Sequence, residues 1–158
     1  MFKKLMFTTG LFVFIDQITK ILISFFMNVN QSISIINNFF NLTYVQNKGA
    51  AFSILTGSRW LLIIIAIVVL NLIYHYLIKD KDLKKYEIIL YALLLSGIIG
   101  NLIDRILYGY VIDFFDFKIF GYNFAIFNLA DSFIVISVIV LLVISIRGEI
   151  KCKNILSK

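Results

Sequence analysis

A chain of 158 residues allows one compact domain. Its 61% hydrophobic and 15% charged content, against roughly 45–50% and about 25% in soluble domains, excludes a water-soluble globular protein and points to an integral membrane protein. The net charge of +6 would suggest nucleic acid in a soluble chain, but a bilayer accounts for it through the positive-inside rule, and no nucleic-acid partner is expected.

In chain order, Lys3 and Lys4 precede an apolar run that carries Asp16, Gln17 and Lys20. No small-residue cleavage site follows, so the run reads as an uncleaved first helix over about 5–26 rather than a signal peptide. The stretch of about 28–57 changes character. Ser32-Ile33-Ser34-Ile35 and Asn41-Leu42-Thr43-Tyr44-Val45 alternate polar with apolar, the period of strands. It ends in Asn47-Lys48-Gly49-Ala50-Ala51-Phe52-Ser53, whose small residues permit tight turns. A second helix spans about 59–78, with no formal charge between Arg59 and Lys79. A charged loop over about 79–86 leads to a third helix over about 87–107, which ends in Gly100-Asn101-Leu102-Ile103-Asp104-Arg105. An aromatic, partly extended connection over about 108–124 precedes a fourth helix over about 125–146 and a basic tail with the single cysteine, Cys152. A lone thiol excludes an intramolecular disulfide.

Four spans put both termini on one side. That side holds Lys3, Lys4, Lys79, Lys81, Lys84, Lys85, Arg147, Lys151, Lys153 and Lys158, while Lys20, Lys48, Arg59, Arg105 and Lys118 fall on or near the other. The bias orients both termini towards the cytoplasm. The fold expected is therefore an all-α membrane protein of four transmembrane helices, with a small extracytoplasmic β-sheet from the first and third connections.

Depth can be counted at 1.5 Å per residue. Asp16 lies about 18 Å from Lys4, Lys20 about 24 Å, Asp104 about 26 Å from Glu87, and Asp131 about 24 Å from Arg147. In a core about 30 Å thick, three helices thus bring ionisable residues to one level near the outer face. Asn47, Asp113 and Asp116 lie in connections on that same side.

Structural explanations cover part of this set. Asp16 and Lys20 have the i,i+4 spacing of a self-neutralising pair, and Asp104 with Arg105 reads as an ion pair at a helix end. Asp116 and Lys118 read as solvated, and His75 as a core or interface residue. Ser53 and Ser132 have no histidine at their level, which argues against a Ser-His-Asp arrangement. Asp113 and Asp131 are left, each among aromatic and aliphatic residues. Carboxylates there need a function. Two at one depth would share a proton and could run acid–base proteolysis, or they could hold Mg²⁺. The residues alone leave these two chemistries equally open. A proton-coupled transporter would want carboxylates near the midplane, and a non-enzymatic scaffold leaves the pair unexplained.

The ordered set Asp16-Gln17-Ile18-Thr19-Lys20, Asn47 to Ser53, Gly100 to Arg105, Val111-Ile112-Asp113-Phe114 and Phe127-Asn128-Leu129-Ala130-Asp131 resembles lipoprotein signal peptidase (signal peptidase II), a bacterial membrane aspartic protease. The resemblance implies that Asp113 and Asp131 form the catalytic dyad, without metal or other cofactor, and it sets Asp116 aside. It implies supporting, substrate-binding roles for Asp16, Lys20, Asn47, Gly97, Asn101, Asp104, Arg105, Asn128 and Ala130. The substrates it implies are prolipoproteins bearing a diacylglyceryl cysteine, cut just before that residue. The setting it implies is the bacterial cytoplasmic (inner) membrane, among membrane lipid, with the active site near the extracytoplasmic face and the chain acting as a monomer. A metal-dependent lipid-headgroup transferase and a small proton-coupled transporter are the alternative readings.

Overall fold

A computed structural model describes residues 1–49, 55–79 and 82–156, with side chains described as far as Arg147. Ala50, Ala51, Phe52 and Ser53 of the Asn47–Ser53 motif therefore lie outside the described residues, as do Lys81, Lys158 and the side chains of Lys151, Cys152 and Lys153. The elements are α1 (Phe2–Phe26), β1 (Ser32–Ile36), β2 (Phe40–Asn47), α2 (Arg59–Ile73) continued by a π-helical turn (Tyr74–Ile78), α3 (Lys85–Leu107), β3 (Val111–Ile119), β4 (Tyr122–Asn123) and α4 (Leu129–Leu156). Among the described residues four helices are long and apolar enough to cross a membrane: Phe2–Phe26, Arg59–Ile78, Lys85–Leu107 and Leu129–Arg147. A four-stranded antiparallel sheet of order β1-β2-β3-β4 accompanies them. The protein is thus not purely helical. The fourth helix starts at Leu129 rather than near 125, because the backbone of Phe127 pairs with Phe115 of β3 and Asn128 becomes the helix cap.

The helices are inside-out relative to those of a soluble protein. In α1 the buried residues are Leu5, Thr9, Asp16 and Lys20, a spacing that falls on one stripe of a 3.6-residue helix. Phe7 and Phe25, on the outer side, are 77% and 79% exposed. Apolar side chains outside and polar ones inside suit lipid as the solvent.

Helix α3 lies at the centre and packs against α1, α2 and α4. Small residues allow this. A Cβ at Gly97 would run into the carbonyl oxygen of Ala130 and come within 2.6 Å of Ile134 Cγ1. A Cβ at Gly100 would run into the Asp16 carboxylate and meet Ala130 Cβ at 3.5 Å. Close backbone approach at glycine is a common device for joining helices in a bilayer, where the hydrophobic effect cannot drive them together.

The core has two apolar parts. One, at the end of the bundle far from the sheet, gathers Leu5, Ile73, Ile78, Ala92, Leu94 and Leu95. The other seats the sheet on the end of α1 through Met27, Tyr44, Ile112 and Phe114. A polar layer lies between. Lys20 Nζ is 2.9 Å from Asp16 Oδ2 and 2.9 Å from Asp104 Oδ2, with all three residues at most 1% exposed. Asp16 Oδ1 accepts a hydrogen bond from the Ala130 N–H (3.0 Å), and Asp104 Oδ2 accepts one from the Ile112 N–H (3.2 Å). One ammonium thereby ties α1 to α3, and its two carboxylates tie that pair to α4 and β3.

The register of β2 on β3 contains one irregularity. Leu42 faces Phe115 and Val45 faces Asp113, so Thr43 and Tyr44 span the interval that Phe114 spans alone. Such a bulge shifts the alternation by one and turns the rest of the strand over. Asn41 and Thr43 therefore share a face with Asp116, whereas Asn47 shares the opposite face with Asp113.

Two stability outcomes follow from this packing. Lys20→Met leaves two buried carboxylates without their cation and should destabilise the fold by about 3–5 kcal/mol, read as a fall in thermal unfolding midpoint in detergent. Gly97→Ala should cost about 1–3 kcal/mol through overpacking, whereas Gly10→Ala, with no neighbouring atom within 4 Å, should be neutral in the same measurement.

Candidate active site

Asp113 enters the site from β3 and is 2% exposed. Its Oδ1 accepts a hydrogen bond from Asn128 Nδ2 (2.7 Å) and its Oδ2 one from Asn47 Nδ2 (2.9 Å). Burial pushes its carboxyl up to about 7, and the charge of Asp131 adds to the rise; the bonds from Asn47 and Asn128 and the cation of Lys20 hold it back.

Asp131 enters from the first turn of α4. Asn128 caps that helix, its Oδ1 accepting from the Asp131 N–H (2.9 Å), while Asp131 Oδ2 accepts from the Asn128 N–H (3.2 Å). This reciprocal capping arrangement fixes the carboxylate at a helix N-terminus, where the backbone dipoles favour negative charge. Asp131 Oδ1 accepts from Asn101 Nδ2 at 2.7 Å. Asn128 thus touches both aspartates: its side chain bonds the Asp113 carboxylate and the Asp131 N–H, and its own N–H bonds the Asp131 carboxylate.

Donor and acceptor counting fixes the amides. An ammonium can only donate, so Asn101 must turn Oδ1 to Lys20 Nζ (3.0 Å) and leave Nδ2 for Asp131. Asn128 Nδ2 bonds the same Asn101 oxygen at 3.1 Å. On the far side, the Gly49 N–H donates to Asn47 Oδ1 (2.9 Å), which leaves Asn47 Nδ2 for Asp113. Arg105 donates from Nη2 to the Gly49 carbonyl (2.9 Å) and from Nη1 to the Asn101 carbonyl (3.2 Å). The site is one connected network from α1 to β2.

The expected ion pair of Asp104 with Arg105 is replaced. Neighbours in sequence point about 100° apart on a helix, so Asp104 faces Lys20 and Arg105 faces the strand end and the cavity. Asp16 and Lys20 do pair, but only as part of the three-residue cluster with Asp104. Asp116 lies on the opposite face of β3, where Thr43 Oγ1 donates to it (2.7 Å) and Asn41 Nδ2 does so at 3.4 Å. His75 is exposed in the π-helical turn, so it is not a core residue, and Ser132 spends its hydroxyl on the Asn128 carbonyl. Gly97 and Ala130 act through packing and, for Ala130, through its N–H.

Two further residues support the site although the sequence gives them no special weight. Gln17 donates to Asp104 Oδ1 (3.0 Å) and to Asp16 Oδ2 (3.2 Å); its place within the Asp16–Lys20 stretch is the available signal. Arg59 donates from Nε to the Arg105 carbonyl and from Nη2 to the Ile106 carbonyl, each at 2.7 Å, and so closes the open end of α3. In sequence it looks only like a membrane-boundary cation.

A cavity of about 540 Å³ opens over the two aspartates. Asn47, Asn101, Arg105, Asp113 and Asp131 form its polar end, and Phe124, Ile126, Phe127, Ile134, Val135 and Ile136 supply apolar wall. Val135 and Ile136 are 54% and 52% exposed, so the cavity continues into the apolar outer surface of α4. A second, more polar cavity of about 490 Å³ meets Asp113 beside Gln46 and Lys48. Among the described residues no group of three or more His, Cys, Asp or Glu is disposed to hold a metal ion. Two carboxylates of unequal surroundings, one protonated near neutrality, can hold a water between a proton acceptor and a proton donor.

Comparison with known proteins identifies relatives of the whole chain. The family model described as signal peptidase (SPase) II matches residues 8–147. A lipoprotein signal peptidase of Staphylococcus aureus is 39% identical over 142 residues, which cover 90% of this chain and 87% of the relative. That of S. aureus strain JH9 is 42% identical over 131 residues, 83% of this chain and 80% of the relative. Two solved structures of bacterial membrane enzymes superpose with TM-scores of 0.84 and 0.78, at 37% and 39% identity. They cover 92% and 88% of this chain, and 88% and 90% of their own. With its sequence matched over most of its length and its fold shared with these enzymes, the chain belongs to the signal peptidase II family.

Proposed function

We propose that this chain is an aspartic endopeptidase that removes the signal peptide from diacylglyceryl-modified bacterial prolipoproteins, cutting just before the lipidated cysteine. The observation that carries the mechanism is the pair Asp113 and Asp131, joined through Asn128 at the polar end of an apolar-walled cavity. The family relationship supports the substrate class.

The surroundings favour a division of labour. Asp131 sits on a helix N-terminus and accepts bonds from Asn101 and the Asn128 N–H, which suits the ionised form. Asp113 is buried in a strand and holds its proton up to about 7. In this reading Asp131 takes a proton from the bound water as its oxygen attacks the scissile carbonyl. Asp113 gives its proton to the developing oxyanion. The tetrahedral intermediate then collapses, the C–N bond breaks, and the leaving amine takes up a proton from the pair. Asn101, Asn47, Asn128 and Arg105 hold the carboxylates and the strand end in place, and Asp16, Lys20 and Asp104 hold those residues in turn.

The apolar wall on α4 gives the acyl chains and the signal segment a route in from the bilayer, while the polar cavity beside Lys48 suits a chain leaving towards water. This agrees with a site near the extracytoplasmic face of the inner membrane and with both termini in the cytoplasm, as the distribution of lysine and arginine implies. A proton-coupled transporter is disfavoured, because among the described residues the helix core away from the sheet is an apolar cluster.

A gel-shift assay on a diacylglyceryl prolipoprotein tests the dyad. Asp113→Asn and Asp131→Asn should each lose at least about a hundredfold in rate, while Asp116→Asn should keep most activity; near-normal cleavage by Asp113→Asn would end the assignment. The pH profile supplies a second measurement. Because the raised value of Asp113 means that its proton is present below about 7 and lost above it, kcat/KM should decline as pH rises through that value. A rate that climbs steadily to pH 9 would contradict the shared-proton mechanism.

A further inference from the structure

The cavity over the two aspartates and the polar cavity beside Lys48 share Asn47, Asp113, Ala125 and Ile126, and so meet at Asp113. Beyond that junction they differ. The first runs along the exposed apolar side chains of Val135 and Ile136 on α4. The second turns to the end of β2, where Gln46, Lys48 and Thr56 line it. A peptide bond held at Asp113 therefore has an apolar side and a polar side.

Lys48 is the only cation among the residues that line the polar side. Its backbone is held from both directions. Gln46 and Asn47 pair with Ile112 and Val111 of β3. The Lys48 carbonyl accepts from the Gly57 N–H (3.3 Å), and the Gly49 carbonyl accepts from Arg105 Nη2 (2.9 Å). The side chain, by contrast, is exposed, and no carboxylate among the described residues lies within ion-pair distance of it. The one acid that lines this cavity is Asp113, whose two oxygens are engaged by Asn128 and Asn47. An ammonium without a counter-ion thus stands on a fixed frame, next in the chain to the residue that holds Asp113. Fixed charge of one sign in a cleft selects ligand groups of the other.

We propose that the polar cavity is the subsite for the first residues of the mature chain, those that follow the lipidated cysteine, and that Lys48 gives it a preference for an acidic side chain there. The proposal rests on the peptidase reading above and adds a specificity-determining residue to it. Asn47 bonds Asp113 and Lys48 comes next. The first two residues past the cysteine, about 3–7 Å further along an extended chain, come level with Lys48 and within reach of its side chain. Residues of the signal segment lie on the other side of the cut, along the apolar wall, and escape this selection. An exposed ion pair changes binding by only a few-fold. It acts on KM, because the contact is the same before and during bond cleavage.

The test uses the full chain in neutral detergent micelles and three diacylglyceryl prolipoproteins that differ only in carrying Asp, Asn or Lys directly after the cysteine. Wild type should show a KM about threefold lower for Asp than for Asn, and highest for Lys, with kcat changing less than about twofold. Lys48→Arg should keep this order, Lys48→Met should flatten it and Lys48→Glu should invert it. Raising salt from about 0.05 M to about 0.5 M should shrink the wild-type preference. Equal KM for all three substrates, or an unchanged order in Lys48→Glu, overturns the subsite and leaves the peptidase reading standing, since the substrates are still cut. Failure to cut any of them overturns the peptidase reading and the subsite with it. Vesicles with and without phosphatidylglycerol separate a lipid role. A Lys48→Met defect that is equal for all three substrates and appears only with the anionic lipid assigns the cation to a headgroup and overturns the proposal.

Discussion

One buried ammonium sets the geometry of this protein. Lys20 reaches from α1 between the carboxylates of Asp16 and Asp104, and all three residues are sealed from solvent. A single positive charge between two carboxylates does not neutralise them. The remaining charge is spread over the N–H groups of Ala130 and Ile112 and the amide of Gln17. Those donors belong to α4, β3 and α1. Electrostatic satisfaction of one cluster therefore dictates where three helices and a strand meet, and glycines at 97 and 100 make the approach sterically possible.

The same ammonium reaches the site through hydrogen-bond polarity rather than through charge alone. By claiming the oxygen of Asn101 it turns that side chain's nitrogen towards Asp131. Gly49 does the same for Asn47 and Asp113. The two aspartates then face donors of fixed orientation before any substrate arrives, which is the preorganisation that charge-stabilising catalysis needs. They are also unequal: one on a helix terminus beside the cavity, the other buried in a strand. Inequality of this kind separates a proton donor from a proton acceptor in a pair of identical side chains.

Membrane and site impose opposite demands on the helices. Lipid contact requires apolar residues around the circumference, and the site requires charge inside it. The chain meets both by confining the buried charges of its helices, Asp16, Lys20 and Asp104, to one level of the bundle, with an apolar cluster on each side.

The sequence determined much of this. Apolar runs matched to bilayer thickness marked four spans, and period-two alternation marked β1 and β2, because both signals lie in neighbouring residues and answer to the solvent outside. Counting rise per residue brought Asp16, Lys20, Asp104 and Asp131 to one level. The ordered motifs carried the family resemblance that the matched relatives bear out. Partner choice was decided only in three dimensions. Lys20 bonds Asp104 and Asn101 as well as its own helix neighbour, and Arg105 abandons the adjacent Asp104 for the Gly49 carbonyl. The bulge at Thr43–Tyr44 turns Asn47 to the face of Asp113 and leaves Asn41 and Thr43 with Asp116. These contacts join residues far apart in the chain, and each depends on a helix rotation or a strand register. Both are set by packing across the fold, which no local pattern records.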